Sequence, residues 1–185
     1  MSDLETRTGL PPDLLVLRDT LPRADWEAHP NFTAMTRFWL DRHLMFRSVL
    51  QKLREGSHAY LDGNVDLMNH ARETQHYAGF LLNQLHVHHN IEDHHYFPQL
   101  QALDKRLEHG FEMLDSDHDA LGTHIHSLAD TANHFLQRLD QSDVRDAVGK
   151  LDGALGEFEQ FLDRHLCDEE DLVVPVILTY APDMG

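Results

Sequence analysis

Two stretches of this chain repeat one short plan. In HVHHNIEDHHYFP, His88 is followed four residues later by Glu92 and ten later by Pro98; His165, Glu169 and Pro175 keep the same intervals. The copies lie 77 residues apart, and each follows an earlier histidine at nearly equal distance, His43 by 45 residues and His118 by 47. The chain therefore reads as two hairpins of one design. In an antiparallel hairpin, residues share a height only when the turn lies midway between them. The midpoints fall near 65.5 and 141.5, where the sequence reads LDGNVD and LDQSDV. Both stretches are rich in turn residues, so His43 is expected to face His88, and His118 to face His165.

The apolar residues give the arms of these hairpins. After Asn31, a plausible cap, Phe38, Trp39, Phe46, Leu50 and Leu53 recur every three to four residues. After Asn64 the series is Leu67, Met68, Ala71, Ala78, Leu81, Leu82 and Leu85, with an end expected near Tyr96 because Pro98 cannot continue the hydrogen-bond ladder. A third run carries Leu114, Leu121, Ile125, Leu128, Ala132, Phe135 and Leu139. A fourth, capped by Ser142 or Asp143, carries Val148, Leu151, Leu155 and Phe158, with Pro175 beyond its end. Strand-like alternation is missing, and the one short apolar run, LVVPVIL, is broken by its proline. The expected fold is all-α, an antiparallel up-down four-helix bundle over residues 30–185. Residues 1–29, with prolines in LPP and LPR, form an N-terminal arm holding at most one short helix.

The histidines and glutamates of the repeat share faces with apolar neighbours. His43 is in register with Trp39, Phe46 and Leu50, His88 with Leu81 and Leu85, His118 with Leu121 and Ile125, and His165 with Phe158 and Leu162. Six polar groups thus occupy core positions at one level. Burying even one unpaired carboxylate costs several kcal/mol, against roughly 5–15 kcal/mol of total stability, so something must compensate them. Imidazole and carboxylate together suit first-row transition metals, and paired iron in particular. Two His-x-x-x-Glu helices supply two histidines and two glutamates that each span both metals, and His43 and His118 complete the set. Four histidine nitrogens and four glutamate oxygens leave positions for an oxo or hydroxo bridge and for an incoming small molecule.

His43, His88-HNI-Glu92, His118 and His165-LCD-Glu169 resemble the hemerythrin-like HHE cation-binding family over roughly residues 30–177. The resemblance implies a four-helix bundle with a non-haem di-iron centre. Proteins of that kind bind oxygen, sense oxygen or iron, or respond to nitric oxide and peroxide. The chain departs from the oxygen carriers of the family, because Gly122 and Leu114 stand four residues either side of His118, and Glu170 stands five after His165. The match of Glu169 to Glu92 favours Glu169 over Glu170 as the ligand. The set is closer to the F-box iron-sensor domain and to bacterial di-iron proteins that repair iron–sulfur centres, although the latter carry a cysteine-containing N-terminal segment that is absent here. The function expected is binding of or reaction with oxygen, nitric oxide or peroxide in sensing or stress response. Its alternatives are iron buffering without turnover and iron–sulfur repair. No nucleophile–base pair is legible that would decide whether the protein is an enzyme.

The remaining features bound the partners. A net charge of −17 repels phosphate backbones and anionic lipid, which excludes nucleic acid and membrane surfaces as partners. No apolar run reaches 18 residues and no leader is evident, so a cytoplasmic location is expected. The single cysteine, Cys167, fits a reducing compartment and forms no internal disulfide. It lies off the ligand face and is expected to pack. A homo-oligomer is compatible with the sequence. Of the other histidines, His86, His89 and His94 are expected to be solvated or supporting. His95, one heptad after His88, is the best extra ligand candidate, and His124 and His126 are expected at the surface.

Overall fold

The structure is a computed structural model that describes residues 4–183. Two single-turn 3-10 helices, Pro12–Leu14 and Arg23–Asp25, precede α1 (Ala34–Leu61). There follow α2 (Leu67–Ile91), a π-helical turn Glu92–Tyr96, α3 (Phe97–Gln101), α4 (Glu108–Leu136) and α5 (Val144–Tyr180). No strand occurs among the described residues. Because α2, the π turn and α3 run on without a break, the long elements number four, and the fold is a helical bundle.

Both expected turns fall where the midpoints place them, between Leu61 and Leu67 and between Leu136 and Val144. Gly63, at φ +77°, supplies the left-handed residue the first turn needs. The cap of α1 is Thr33 rather than Asn31, since Thr33 Oγ1 accepts the Thr36 amide proton at 3.3 Å. The third long helix closes at Leu136, short of Leu139.

The two prolines do not end their helices as expected. Pro98 sits in the first turn of α3, directly after the π turn, where the hydrogen-bond spacing changes and the wider turn relieves the clash with the preceding carbonyls. Pro175 lies inside α5. Leu172, Val173, Val174, Val176, Ile177 and Leu178 around it are all buried, and their burial at roughly 1.5–3 kcal/mol each outweighs the roughly 3 kcal/mol that an interior proline costs. LVVPVIL is therefore a core helix, not a broken strand.

The chain forms two compact units. One comprises the residues up to Leu44, His88–Ala120 and those from Asp163 on, and the other comprises Met45–Val87 and Leu121–Leu162. The second unit buries Phe46, Leu50, Leu81, Leu85, Leu121, Phe135, Leu151 and Phe158, much of the expected stripe. The first contains all six candidate ligands. Its core joins Leu10, Leu14, Leu17 and Trp26 of the N-terminal segment to Phe97, Leu107, Phe111 and the end of α5. Phe38 and Met68, assigned to the stripes by periodicity, are exposed instead. Phe38 sits beside Trp39, which takes the inward face, and Met68 precedes buried His70 and Ala71.

Gly110 lies within α4. A Cβ there would stand 2.9 Å from Leu172 Cδ2 and 3.3 Å from Leu14 Cδ1, and both leucines are buried. Overpacking should therefore outweigh alanine's better helix propensity. Gly110→Ala is expected to destabilise the protein by about 1–2 kcal/mol in urea unfolding.

Candidate metal centre

All six residues of the repeat are buried and converge within the first unit. His43 Nε2 lies 3.1 Å from His88 Nε2, and His118 Nε2 lies 3.1 Å from His165 Nε2, the two facing pairs that the turn positions imply. The glutamates lie between the pairs. Glu92 Oε1 is 3.1 Å from His88 Nε2 while its Oε2 is 3.8 Å from His118 Nε2. Glu169 Oε2 is 3.6 Å from His43 Nε2 and 3.3 Å from His165 Nε2. Each carboxylate thus reaches one histidine of either pair.

Around this set, carboxylates hold the outer faces of three imidazoles. His43 Nδ1 is 3.0 Å from Glu170 Oε1, His118 Nδ1 is 2.6 Å from Asp93 Oδ1, and His165 Nδ1 is 3.4 Å from Asp117 Oδ2. A proton donated from Nδ1 to each carboxylate leaves the Nε2 lone pair facing inward, the tautomer a metal requires. Trp39 Nε1 donates to Glu92 Oε1 at 2.6 Å, which fixes the carboxylate plane.

The N-terminal segment supports two of these carboxylates. Arg7 is buried; its Nη1 donates to Asp117 Oδ1 at 2.8 Å and its Nε to Asp168 Oδ2 at 2.7 Å. Arg23 Nη1 reaches Glu170 Oε2 at 2.5 Å and its Nε reaches Asp171 Oδ1 at 2.8 Å. Two chains of contact result, from Arg7 through Asp117 to His165 and from Arg23 through Glu170 to His43. Burial works against the Arg7 charge, but the hydrogen bonds it donates to Asp117 and Asp168 more than offset it and raise its pKa.

Two of the neighbouring histidines need comment. His89, expected to be solvated or supporting, is not solvated: it is buried and stacks on His118 with centroids 4.1 Å apart. Its ring can offer a nitrogen within 4.8 Å of those of His118 and His165. His95 is exposed. The π turn explains its position, because an extra residue per turn rotates His95 out of the heptad register it would hold in an α-helix, and directs Asp93 to His118. The others lie as expected: His86, His94 and His126 are exposed, and half-buried His124 stacks on Phe161. Cys167 is half-buried and belongs to neither His/Glu cluster.

The donor set fits a cation. Glu92 Oε2 is buried without a hydrogen-bond partner, an atom that an ion would satisfy. Burial, and then the Glu169 carboxylate beside it, pushes the Glu92 carboxyl well above the usual range. Burial and the surrounding imidazoles hold His88 well below its ordinary value, and burial with His165 does the same for His118. Neutral imidazoles are ready to ligate, and the carboxylates need positive charge to ionise.

A buried cage of histidines crossed by glutamates, set on four helices, defines a metal-binding helical bundle. The model of the hemerythrin HHE cation-binding domain matches residues 34–177, and the chain belongs to that family. No curated protein and no solved structure matches it. Among the described residues no helix is long and apolar enough to cross a membrane.

Proposed function

We infer that the protein holds two iron ions through His43, His88, Glu92, His118, His165 and Glu169, and binds or reacts with oxygen, nitric oxide or peroxide there in sensing or stress response. The observation that carries this reading is the placement of Glu92 and Glu169, each between the His43–His88 pair and the His118–His165 pair. A carboxylate reaching both pairs suits two ions better than one. Iron pairs supply electrons and exchangeable coordination positions to a diatomic ligand or peroxide.

The chain's own residues do the rest. Glu170, Asp93 and Asp117 keep the Nδ1 protons of three imidazoles, and so aim the opposite nitrogens inward. Trp39 holds Glu92, and the rings of Trp39 and Phe97 against His43 and His118 keep bulk water from the donors.

Iron content per chain, in protein purified without added metal or affinity tag, tests this reading. About two irons are expected, with an oxidised absorption band that changes on anaerobic reduction and on exposure to nitric oxide. No iron after anaerobic ferrous reconstitution would overturn it. Iron that passes to a chelator without any oxidised chromophore would make the protein a buffer.

A further inference from the structure

A cavity of about 310 Å³ opens within the first unit against the candidate metal centre. Its buried end is formed by Glu92 and Trp39, the pair joined by the 2.6 Å hydrogen bond. Phe97 and Leu100 of α3 and Val173 and Ile177 of α5 line it with apolar surface. Exposed Thr33, Ala181 and Asp183 mark its mouth, beside half-buried Met35. Ala181 has φ +45°, a left-handed conformation uncommon for a residue with a side chain, and the segment it begins after α5 lines the cavity.

The size does not match a diatomic molecule. The volume is about ten times the ~30 Å³ that a water occupies in the liquid, and it falls at the lower end of the roughly 300–1,000 Å³ typical of organic-ligand pockets. The charge is equally selective. Glu92 and Asp183 line the cavity, and among the described residues no lysine or arginine does. In the metal-free protein an anion entering would meet the Asp183 carboxylate at the mouth and a chain of net charge −17 outside. Asn31 and the hydroxyls of Thr33 and Thr36 add acceptors among the apolar walls.

We propose that this cavity binds a small, mainly apolar organic molecule, uncharged and carrying a hydrogen-bond donor, directly beside the candidate metal centre. Binding itself needs no metal. Its influence on bound iron, through Trp39 and Glu92, rests on the di-iron reading above.

The experiment is calorimetric titration of the full chain, metal-free and iron-loaded, with 2-naphthol and with 2-naphthoate, which has the same ring system but carries an anion. 2-Naphthol is expected to bind saturably at one site in both forms, and 2-naphthoate roughly tenfold or more weaker in the metal-free form. Met35→Trp, which fills the mouth without touching a candidate ligand, is expected to weaken 2-naphthol by a similar factor; circular dichroism checks its fold, and Ile177→Phe blocks the cavity from α5 should it unfold. In the iron-loaded protein 2-naphthol should also shift the visible absorption. Absence of saturable binding, equal affinity for 2-naphthoate in the metal-free form, or unchanged affinity in both folded blocking variants would overturn the proposal. Iron uptake without 2-naphthol binding defeats the cavity alone, and 2-naphthol binding without iron uptake defeats the di-iron reading alone.

Discussion

Glu169→Ala is expected to lower iron from about two per chain to one or none and to lower stability with metal but not without it. In iron-loaded protein the variant loses what the ions contribute, about 2.7 kcal/mol where free metal stands at 100 times its dissociation constant. In metal-free protein it removes a carboxylate that is fully buried, and stability should hold or rise by about 1 kcal/mol or more. Denaturant unfolding with iron and with chelator, alongside iron analysis, checks both arms. The same loss of stability in both conditions would make Glu169 a structural residue. Glu170→Ala provides the contrast. Glu170 contacts His43 Nδ1 and Arg23 rather than the inner nitrogens, so its loss should weaken iron binding by roughly 10- to 100-fold without abolishing it.

Arg7→Met should destabilise the protein by about 3–5 kcal/mol, a large share of the roughly 5–15 kcal/mol available to a domain. The cause is not the loss of an attractive pair as such, but the two carboxylates, Asp117 and Asp168, left behind in the interior. Arg7 and both acids are nearly inaccessible, with side chains at most 4 % exposed, so water would screen little of the penalty. Arg164, which also reaches Asp168, should retain part of the stability. Adding Asp117→Asn and Asp168→Asn to Arg7→Met removes the stranded charges and should recover much of it, which urea midpoints at constant m-value would reveal. If Arg7→Met costs less than about 1 kcal/mol, the interior acids are satisfied by other means. Because Asp117 holds His165, the triple variant, which lacks that carboxylate, should bind iron less tightly than its recovered stability alone would suggest.

Much of this protein follows from short-range periodicity. Four helical runs, the turns near 65 and 141, and the inward level of His43, His88, Glu92, His118, His165 and Glu169 all follow from repeats at three, four and 77 residues. Helical geometry converts spacing into direction, and equal arm lengths convert turn positions into height, so a linear pattern is enough. Exceptions occur where that conversion breaks down. A π turn carries one extra residue, and with it His95 leaves the ligand face that the heptad implied. His89 is buried because a helix wedged among three others presents more than one side to the interior.

Tertiary structure alone decided the rest. Arg7 meets Asp117 across 110 residues and Asp168 across 161, and Arg23 meets Glu170 across 147. No period links these positions, and in the sequence Arg7 and Arg23 are ordinary charges in a proline-bearing arm. Pro175 likewise reads as a helix end until the burial of its neighbours outweighs its lost hydrogen bond. The sequence by itself determined which side chains converge, because convergence is a property of local geometry repeated four times. Which charges stand behind them, and what space opens beside Trp39 and Glu92, depended on burial and on contacts between distant segments, which exist only once the chain has folded.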